Sequence, residues 1–427
     1  MPHRTDLTGC RPPTWPWVWA TLAVLLAPLV FDSSLSATLL SQFGIAVIAC
    51  LSYNLLLGQG GMLSFGHAVY TGLGAYLAIH TLGAMNRGVL LLPVSCIPLV
   101  GGLAGLASAG VLGYLATRKS GTVFAMITLG LAELVAAVAL MFPAVFGGEA
   151  GVSANRVTGA PVLGIDFASG RQMAYLVAAY TLVSVGALYA FTATPLGRML
   201  NAVRDNPQRA AFIGYDPQRV RHIAFAISGF FAGVAGGLAA LAFEFVGPEA
   251  LGAARSGTYL VFTVLGGTTF FFGPVVGAAL MVLSQALLSE LTRAWLLYLG
   301  LAFLFTVLLV PGGLAGLLVQ LRRVLQGPWP LLLPVLPGML LGGLLAGAGA
   351  AAVVEMVYHR QLEVALGPQL VFLGLQLDVT QPASWAGAGA ALLVGLALIA
   401  SARPAALRRW AQVRQTLAQA GTDGERR

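Results

Sequence analysis

The sequence predicts an all-α polytopic membrane protein, with about ten core transmembrane helices, some broken by glycine, and about two more at the C-terminus. Of its 427 residues, 58% are hydrophobic and only 9% are charged, and the mean hydropathy is +0.85. Soluble domains carry about 25% charged residues. The net charge of +8 therefore belongs to the loops of a membrane protein and does not indicate a nucleic-acid partner.

Twelve stretches are apolar enough to cross a bilayer, for which a helix needs about 20 residues. Ten lie in residues 1–327, which we expect to form the main transmembrane domain, and two lie in a C-terminal extension, residues 328–427. The pair 257–272 and 273–289 is short and rich in glycine. The predicted spans are 15–31, 37–57, 61–80, 88–116, 122–146, 172–192, 223–243, 257–272, 273–289, 294–318, 331–354 and 385–402.

The positive charges predict the orientation of these spans. Arg4 and Arg11 precede the first apolar run, and no small-residue cleavage site follows it, which is typical of an uncleaved signal anchor. With the N-terminus inside, 17 of the 23 Lys and Arg residues fall on inner segments and 6 on outer ones. Because cytoplasmic loops are enriched in Lys and Arg, we expect both termini and residues 194–222 to lie in the cytoplasm.

The loop at 194–222 carries clear helix boundaries. A capping residue followed by proline marks each helix start, and Gly214 is a natural stop. The sequence therefore predicts a short rigid helix at 207–213, held between two stiff corners. The three cap and proline pairs are Thr194-Pro195, Asn206-Pro207 and Asp216-Pro217.

Two interpretations of this loop are open from its composition. The small side chains of Ala210 and Ala211 would let another backbone come close, while Arg204 and Arg209 offer donors to a carboxylate-bearing partner. The alternative is an ordinary basic inner loop that follows the positive-inside rule.

Five motifs resemble those of branched-chain amino acid ABC permeases of the LivM type, within the LivH/LivM superfamily. They occur in family order between about residues 15 and 318. The loop departs from the family at Asp205, where Glu is usual, and at Gln208-Arg209, where a less basic pair is common. The motifs are YNLLLGQGGMLSFGHAVYTGLGAY (53–76), GTVFAMITLGLAE (121–133), GRMLNAVRDNPQRAAFIG (197–214), LGGTTFFFGPVVGAAL (265–280) and VPGGLAGL (310–317).

The resemblance implies the permease subunit of an ABC importer in the bacterial inner membrane, with a path for branched-chain or other hydrophobic amino acids. It implies four kinds of partner: a second homologous permease, two ATP-binding subunits, an extracytoplasmic solute-binding protein and the small-molecule substrate. By the same resemblance the loop couples to the ATPase through Arg204, Asp205, Asn206, Pro207, Arg209, Ala210, Ala211 and Gly214.

No nucleotide site is predicted in the chain itself. A P-loop needs a glycine directly before its lysine, whereas the only lysine, Lys119, follows Arg118. We therefore expect no enzyme activity, no cofactor and no metal in this chain, and ATP hydrolysis in the partner subunits. The three cysteines predict no disulfide framework.

Two glycine-interrupted segments, residues 60–66 and 266–273, share a Gly-Gly pair, a stretch with hydroxyl and aromatic side chains, and a further glycine. Paired broken segments indicate the central site of transporters built from repeats. The nearby Gly72 and Gly74 are equally consistent with tight helix packing. The predicted path residues are Gly60, Gly61, Ser64, His67, Thr128, Glu133, Gly266, Gly267 and Gly273.

The polar members of this set have structural alternatives. Glu133 is the only acidic residue well inside a predicted span, where a carboxylate indicates either function or a paired partner. His67 either lines the path or is a hydrogen-bonded packing residue. Ser64 and Thr128 could also bond the backbone of their own helices.

Other functions are also consistent with an apolar chain containing broken helices. An ion-coupled secondary transporter would use Glu133 or His67 as its coupling site, and ABC permeases for urea or short amides have similar sequences. A nonenzymatic membrane scaffold is supported only by the extension. Residues 405–420 of that extension predict a basic amphipathic helix lying on the membrane surface.

Overall fold

The computed structural model describes residues 26–29, 33–157, 167–310, 312–326, 334–362, 368–372 and 374–425. The first predicted span, 15–31, therefore lies almost wholly outside the described residues.

The predicted all-α class is confirmed, because helices dominate the described residues and the strands form only two short ladders. β1 (Val152–Ser153) pairs with β2 (Phe245–Val246), and β3 (Gln369–Phe372) pairs with β4 (Leu375–Asp378), both antiparallel. The helices are α1 Ser34–Asn54, α2 His67–Asn86, α3 Ile97–Ala116, α4 Thr122–Met141, α5 Pro143–Phe146, α6 Gly170–Ala193, α7 Pro195–Asp205, α8 Pro207–Phe212, α9 Pro217–Phe243, α10 Ala253–Gly266, α11 Gly273–Leu283, α12 Ser289–Leu291, α13 Trp295–Leu309, α14 Gly313–Gln326, α15 Leu336–Leu362 and α16 Pro382–Glu425.

Seven helices of the described residues are long and apolar enough to cross a membrane, and the bent pair α13 and α14 would add an eighth, broken span. The protein is therefore a multi-pass membrane protein. The seven are Ser34–Gln59, Val94–Ala116, Thr122–Met141, Gly170–Ala193, Pro217–Phe243, Leu336–Gln361 and Pro382–Gln412.

The structure changes several predicted spans. The span predicted at 257–272 is α10, whose 14 residues reach only about 21 Å, less than the roughly 30 Å of a hydrocarbon core. The next, at 273–289, is α11 followed by a π turn, Ser284–Leu288. The expectation of two full-length crossings is therefore wrong here. Residues 405–420 continue α16 and do not begin a separate helix.

The described chain forms two compact units. Unit 1 comprises residues 1–286 and 303–316, and unit 2 comprises residues 287–302 and 317–427. Unit 2 thus takes in residues before Pro328, and the domain boundary at 327 stays a prediction.

Unit 1 is built around α9, whose glycines allow very close approach to α3. A Cβ at Gly105 would meet the carbonyl oxygen of Gly229 and lie 2.8 Å from the Cα of Gly233. A Cβ at Gly74 on α2 would lie 2.6 Å from the same Cα. Such contacts between small residues replace the hydrophobic effect as the basis of helix association in a membrane. Tight packing thus accounts for Gly74.

Unit 2 is held by α15, α16 and the β3–β4 hairpin. Met356 is fully buried among Val379, Ala388 and the partly buried Trp385, whose indole donates to the carbonyl oxygen of Val379 at 2.9 Å. On α15 the carboxylate of Glu355 accepts hydrogen bonds from the hydroxyls of Thr292 and Tyr298.

Candidate coupling loop and translocation site

The loop between α6 and α9 folds into two helices with capped starts. The side chain of Thr194 accepts from the amide of Gly197 at 3.2 Å and begins α7. Asn206 accepts from the amide of Arg209 at 2.9 Å and begins α8, whose first residue is Pro207. These caps confirm the helix starts that the sequence predicts.

The end of α8 and the start of α9 follow the same local rules. Gly214, with φ of +91°, ends the turn after α8 in a backbone region that favours glycine. The side chain of Asp216 then accepts from the amide of Gln218 at 2.8 Å and begins α9. The loop is therefore stiff at each of its corners.

The sequence predicts the start of α7 at Pro195 but not the packing of this helix against the rest of unit 1. α7 is an 11-residue amphipathic helix whose Leu200 and Val203 are buried within unit 1. Asn201 donates to the side-chain oxygen of Gln59 at 2.8 Å. The signal for α7 was present, since Leu200 and Val203 are three residues apart on one helical face.

Arg204 ties α7 to the break that follows α1. Its guanidinium donates to the carbonyl oxygen of Gly58 and lies 3.0 Å from a carboxylate oxygen of Asp205. A Cβ at Gly61, where φ is +63°, would lie 2.7 Å from Cγ of Arg204. Arg204 therefore holds α7 against the end of α1 within this chain, and its predicted contact with an ATPase partner stays a prediction.

The outer face of α8 is apolar and unusually exposed. Phe212 is 90% exposed and Ile213 is 64% exposed, and Arg209 and Ala211 lie beside them in the open. Ala210, by contrast, is buried at 2% and faces its own chain. We call the exposed set Arg209, Ala211, Phe212 and Ile213 the α8 surface.

The two glycine-interrupted segments, residues 60–66 and 266–273, lie at the same end of unit 1 as α7, and we call them the glycine breaks. A Cβ at Gly58 would lie 2.5 Å from the carbonyl oxygen of Thr268, and one at Gly267 would meet the carbonyl of Gly312. The predicted path residues Gly60, Gly61, Gly266, Gly267 and Gly273 all belong to these breaks. We call this the loop end of unit 1.

Ser64 and Thr128 fix the irregular stretch before α2. Thr128 accepts from the amide of Phe65 at 3.1 Å while donating to the carbonyl of Ala125 at 2.9 Å. Ser64 accepts from the amide of Gly66, and its carbonyl accepts from the hydroxyl of Tyr53 at 2.8 Å. Both residues therefore hold the break in place.

His67 begins α2 and is completely buried. Its Nε2 is hydrogen-bonded to the hydroxyl of Ser52 at 2.9 Å, whereas its Nδ1 has no partner among the described residues. The rings of Tyr53 and Tyr259 meet it edge-on, with centroids 5.2 and 6.3 Å away. The imidazole therefore joins α1, α2 and α10 in the middle of unit 1.

Glu133 lies apart from these residues. It is exposed on α4, and its carboxylate has no hydrogen bond or ion pair among the parts of the chain that the structure describes.

At the end of unit 1 opposite α7, the connection between α5 and α6 contacts the connection between α9 and α10. β1 and β2 pair there, and the carboxylate of Glu244, which has φ of +55°, accepts from the amide of Arg156 at 2.7 Å. Residues 158–166 of the connection between α5 and α6 lie outside the described residues.

Sequence reasoning also missed a cavity. It has a volume of about 320 Å³, is lined by residues of α1, α2, α9, α10 and α11 within unit 1, and is open on one side, where Arg255 is exposed. Its lining residues are scattered over more than 240 positions of the chain, so no local motif could indicate it.

Stacked apolar helices, glycine-broken segments and a cavity among the helices are the features of a multi-pass membrane protein of the transporter class. A family model described as the permease component of a branched-chain amino acid transport system matches residues 35–312. That match covers most of the chain, and the protein belongs to this family.

Curated relatives agree with this family. The high-affinity branched-chain amino acid transport system permease protein LivM of Salmonella typhimurium is 28% identical over 321 residues, covering 70% of this chain and 74% of the relative. LivM of Escherichia coli is 29% identical over 293 residues, covering 63% and 67%. A probable LivH of Methanocaldococcus jannaschii is 28% identical over 148 residues, covering 35% and 44%. No solved structure matches the chain significantly.

Proposed function

We propose that this chain is the permease subunit of an ABC importer that carries branched-chain or other hydrophobic amino acids across the bacterial inner membrane. The family and the two LivM relatives support the solute class. The observation that carries the coupling part is the physical connection from the exposed α8 surface, through α7, to the glycine breaks.

The α8 surface is the docking point for an ATP-binding subunit. An exposed aromatic side chain such as Phe212 is a strong anchor for a protein partner, and Arg209 offers donors to a partner carboxylate. Because α8 is fixed at its start by the Asn206 cap and followed by the Gly214 turn, a displacement of α8 by the ATP-binding subunit moves the whole loop. Arg204 and Asn201 then transmit this motion to Gly58 and Gln59.

The other partners occupy different faces. The loop end faces the cytoplasm together with both termini, so the paired segments around β1 and β2 face the solute-binding protein outside. A second homologous permease covers α4, because a carboxylate such as Glu133 is too costly to leave against lipid. Residues 1–327 form the transport domain, and no observation assigns a role to residues 328–427.

Reconstituting the chain with its partner permease and two ATP-binding subunits in proteoliposomes tests this function. We expect leucine uptake that requires ATP and the solute-binding protein and that survives ionophores. The bulky substitution Ala211→Trp on the α8 surface should abolish uptake while leaving membrane insertion intact. Leucine uptake without ATP, driven by an ion gradient, would establish the secondary-transporter alternative. ATP-driven uptake of urea but not of leucine would favour the short-amide alternative.

A further inference from the structure

We propose that the 320 Å³ cavity of unit 1 is a binding site for one aliphatic α-amino acid, with Arg255 binding the carboxylate. This inference rests on the proposed function and adds the place where the permease itself holds its solute. The site lies apart from the glycine breaks and from Glu133, which the sequence had nominated.

The cavity has the size and the mixed lining of a small-molecule site. Pockets that hold small ligands begin at about 300 Å³ and combine apolar walls with a few polar groups. Here the apolar wall comes from α1, α2, α9 and α11, and the polar groups are Gln42, Thr71, Arg255, Tyr259 and Gln285. The apolar lining includes Ile45, Ala46, Ala75, Phe243, Met281 and Val282.

Thr71 indicates that the cavity is made for a polar ligand. Its side chain is only 6% exposed, and its hydroxyl has no hydrogen-bond partner among the described residues. Buried threonine hydroxyls in helices normally bond a carbonyl one turn back, as Thr81 of the same helix does with Leu77 at 2.7 Å. A buried hydroxyl left unpaired costs free energy, which a ligand in the cavity would recover.

Arg255 provides the positive charge of the site. Its guanidinium carbon lies 5.7 Å from the ring centroid of Tyr259, which is itself buried. The ion pairs of the described residues do not include Arg255. A guanidinium binds a carboxylate through two parallel hydrogen bonds, so it can select amino acids over uncharged amides and over urea.

The position of the cavity fits a site reached from the side opposite the loop end. Gln42 precedes Gly58 by 16 residues along α1, or about 24 Å of helix. Ala239 and Phe243 lie at the far end of α9 from Pro217, and Arg255 lies at the far end of α10 from Gly266. The solute would therefore bind first, and the breaks at the loop end would open afterwards.

The test measures equilibrium binding of radiolabelled leucine to the purified assembly in lipid nanodiscs, without the solute-binding protein. We expect Arg255→Met to weaken leucine binding about ten-fold or more, and the isosteric Thr71→Val to weaken it about three-fold. Arg87→Met and Thr81→Val are the matched controls, since Arg87 is exposed at the end of α2 and neither residue lines the cavity. Leucinamide, which lacks the carboxylate, should bind weakly to the wild-type assembly, and Arg255→Met should not lower its affinity further.

Each outcome decides between the two proposals. The site would be refuted if Arg255→Met and Thr71→Val both bound leucine as the wild type does, or if the cavity held only co-purified lipid. ATP-driven uptake by the same assembly would still uphold the function in that case. Absence of any leucine uptake by the complete wild-type system would refute the function itself. If Arg255→Met fails to assemble, Thr71→Val carries the test, because it keeps the branched shape of the side chain and changes no charge.

Discussion

The guanidinium of Arg204 donates a hydrogen bond to the backbone carbonyl of Gly58, a residue 146 positions earlier in the chain. This contact joins the loop helix α7 directly to the end of α1, where the helix widens into a π turn and then breaks. If the loop receives force from an ATPase, as we propose, this contact and that of Asn201 with Gln59 connect it to a break in a membrane helix.

Arg204→Met should uncouple transport from ATP hydrolysis. Loss of a hydrogen bond from a charged group is worth roughly 1.5–3 kcal/mol, so we expect uptake to fall by at least about ten-fold while the assembly keeps hydrolysing ATP. Uptake and ATPase rates measured on the same proteoliposomes check this. Arg198→Met is the control, because Arg198 is exposed on the same helix and its side chain makes no hydrogen bond among the described residues. Equal losses in both variants would mean that charge alone matters.

Phe212→Ala should weaken association with the ATP-binding subunits. The side chain is 90% exposed in the isolated chain, and removing an aromatic anchor from an interface costs about 2 kcal/mol or more. We expect roughly ten-fold less ATP-binding subunit to co-purify, with normal thermal stability of the permease itself. Leu297→Ala removes an apolar side chain that is 49% exposed on α13 and should leave co-purification unchanged. Full recovery of the ATP-binding subunits with Phe212→Ala would place their docking surface elsewhere.

Gly105→Ala should destabilise unit 1 by roughly 1–3 kcal/mol, the usual cost of overpacking. The added methyl group would meet the carbonyl of Gly229 on α9, and backbone atoms cannot move aside cheaply. Gly110→Ala on the same helix is the control, because no atom lies within 4 Å of the added Cβ, and alanine favours helices over glycine. Thermal unfolding followed by fluorescence-detected gel filtration should show a lower midpoint for Gly105→Ala only. Similar midpoints would show that α3 and α9 pack less closely than the structure has them.

Glu133→Gln should reduce recovery of the second permease subunit. An unpaired carboxylate on the outside of a membrane helix calls for a partner from another chain, and breaking a buried ion pair typically costs about 3–5 kcal/mol. Co-purification of the tagged chain with its partner permease measures the effect. Glu149→Gln serves as the control, since Glu149 lies in the connection after α5. Undiminished recovery with Glu133→Gln would show that the carboxylate does not face the partner.

Local sequence signals predicted the loop well. Thr194, Asn206 and Asp216 cap their helices, and Gly214 ends the turn after α8, because caps and positive-φ glycines act within a few residues. The same signals could not show which face of α8 packs inward. Ala210 and Ala211 look alike in sequence, yet the first is buried and the second is exposed.

The sequence by itself determined the membrane class, the helix starts of the loop and the family motifs, since composition, capping and residue order are properties of the linear chain. Only the tertiary structure decided that Arg204 reaches Gly58, that α10 and α11 are too short to span, and that Thr71 and Arg255 share a cavity. The physical reason is the solvent. In a bilayer both the lipid-facing and the packed sides of a helix are apolar, so no hydrophobic periodicity marks the face that will be buried.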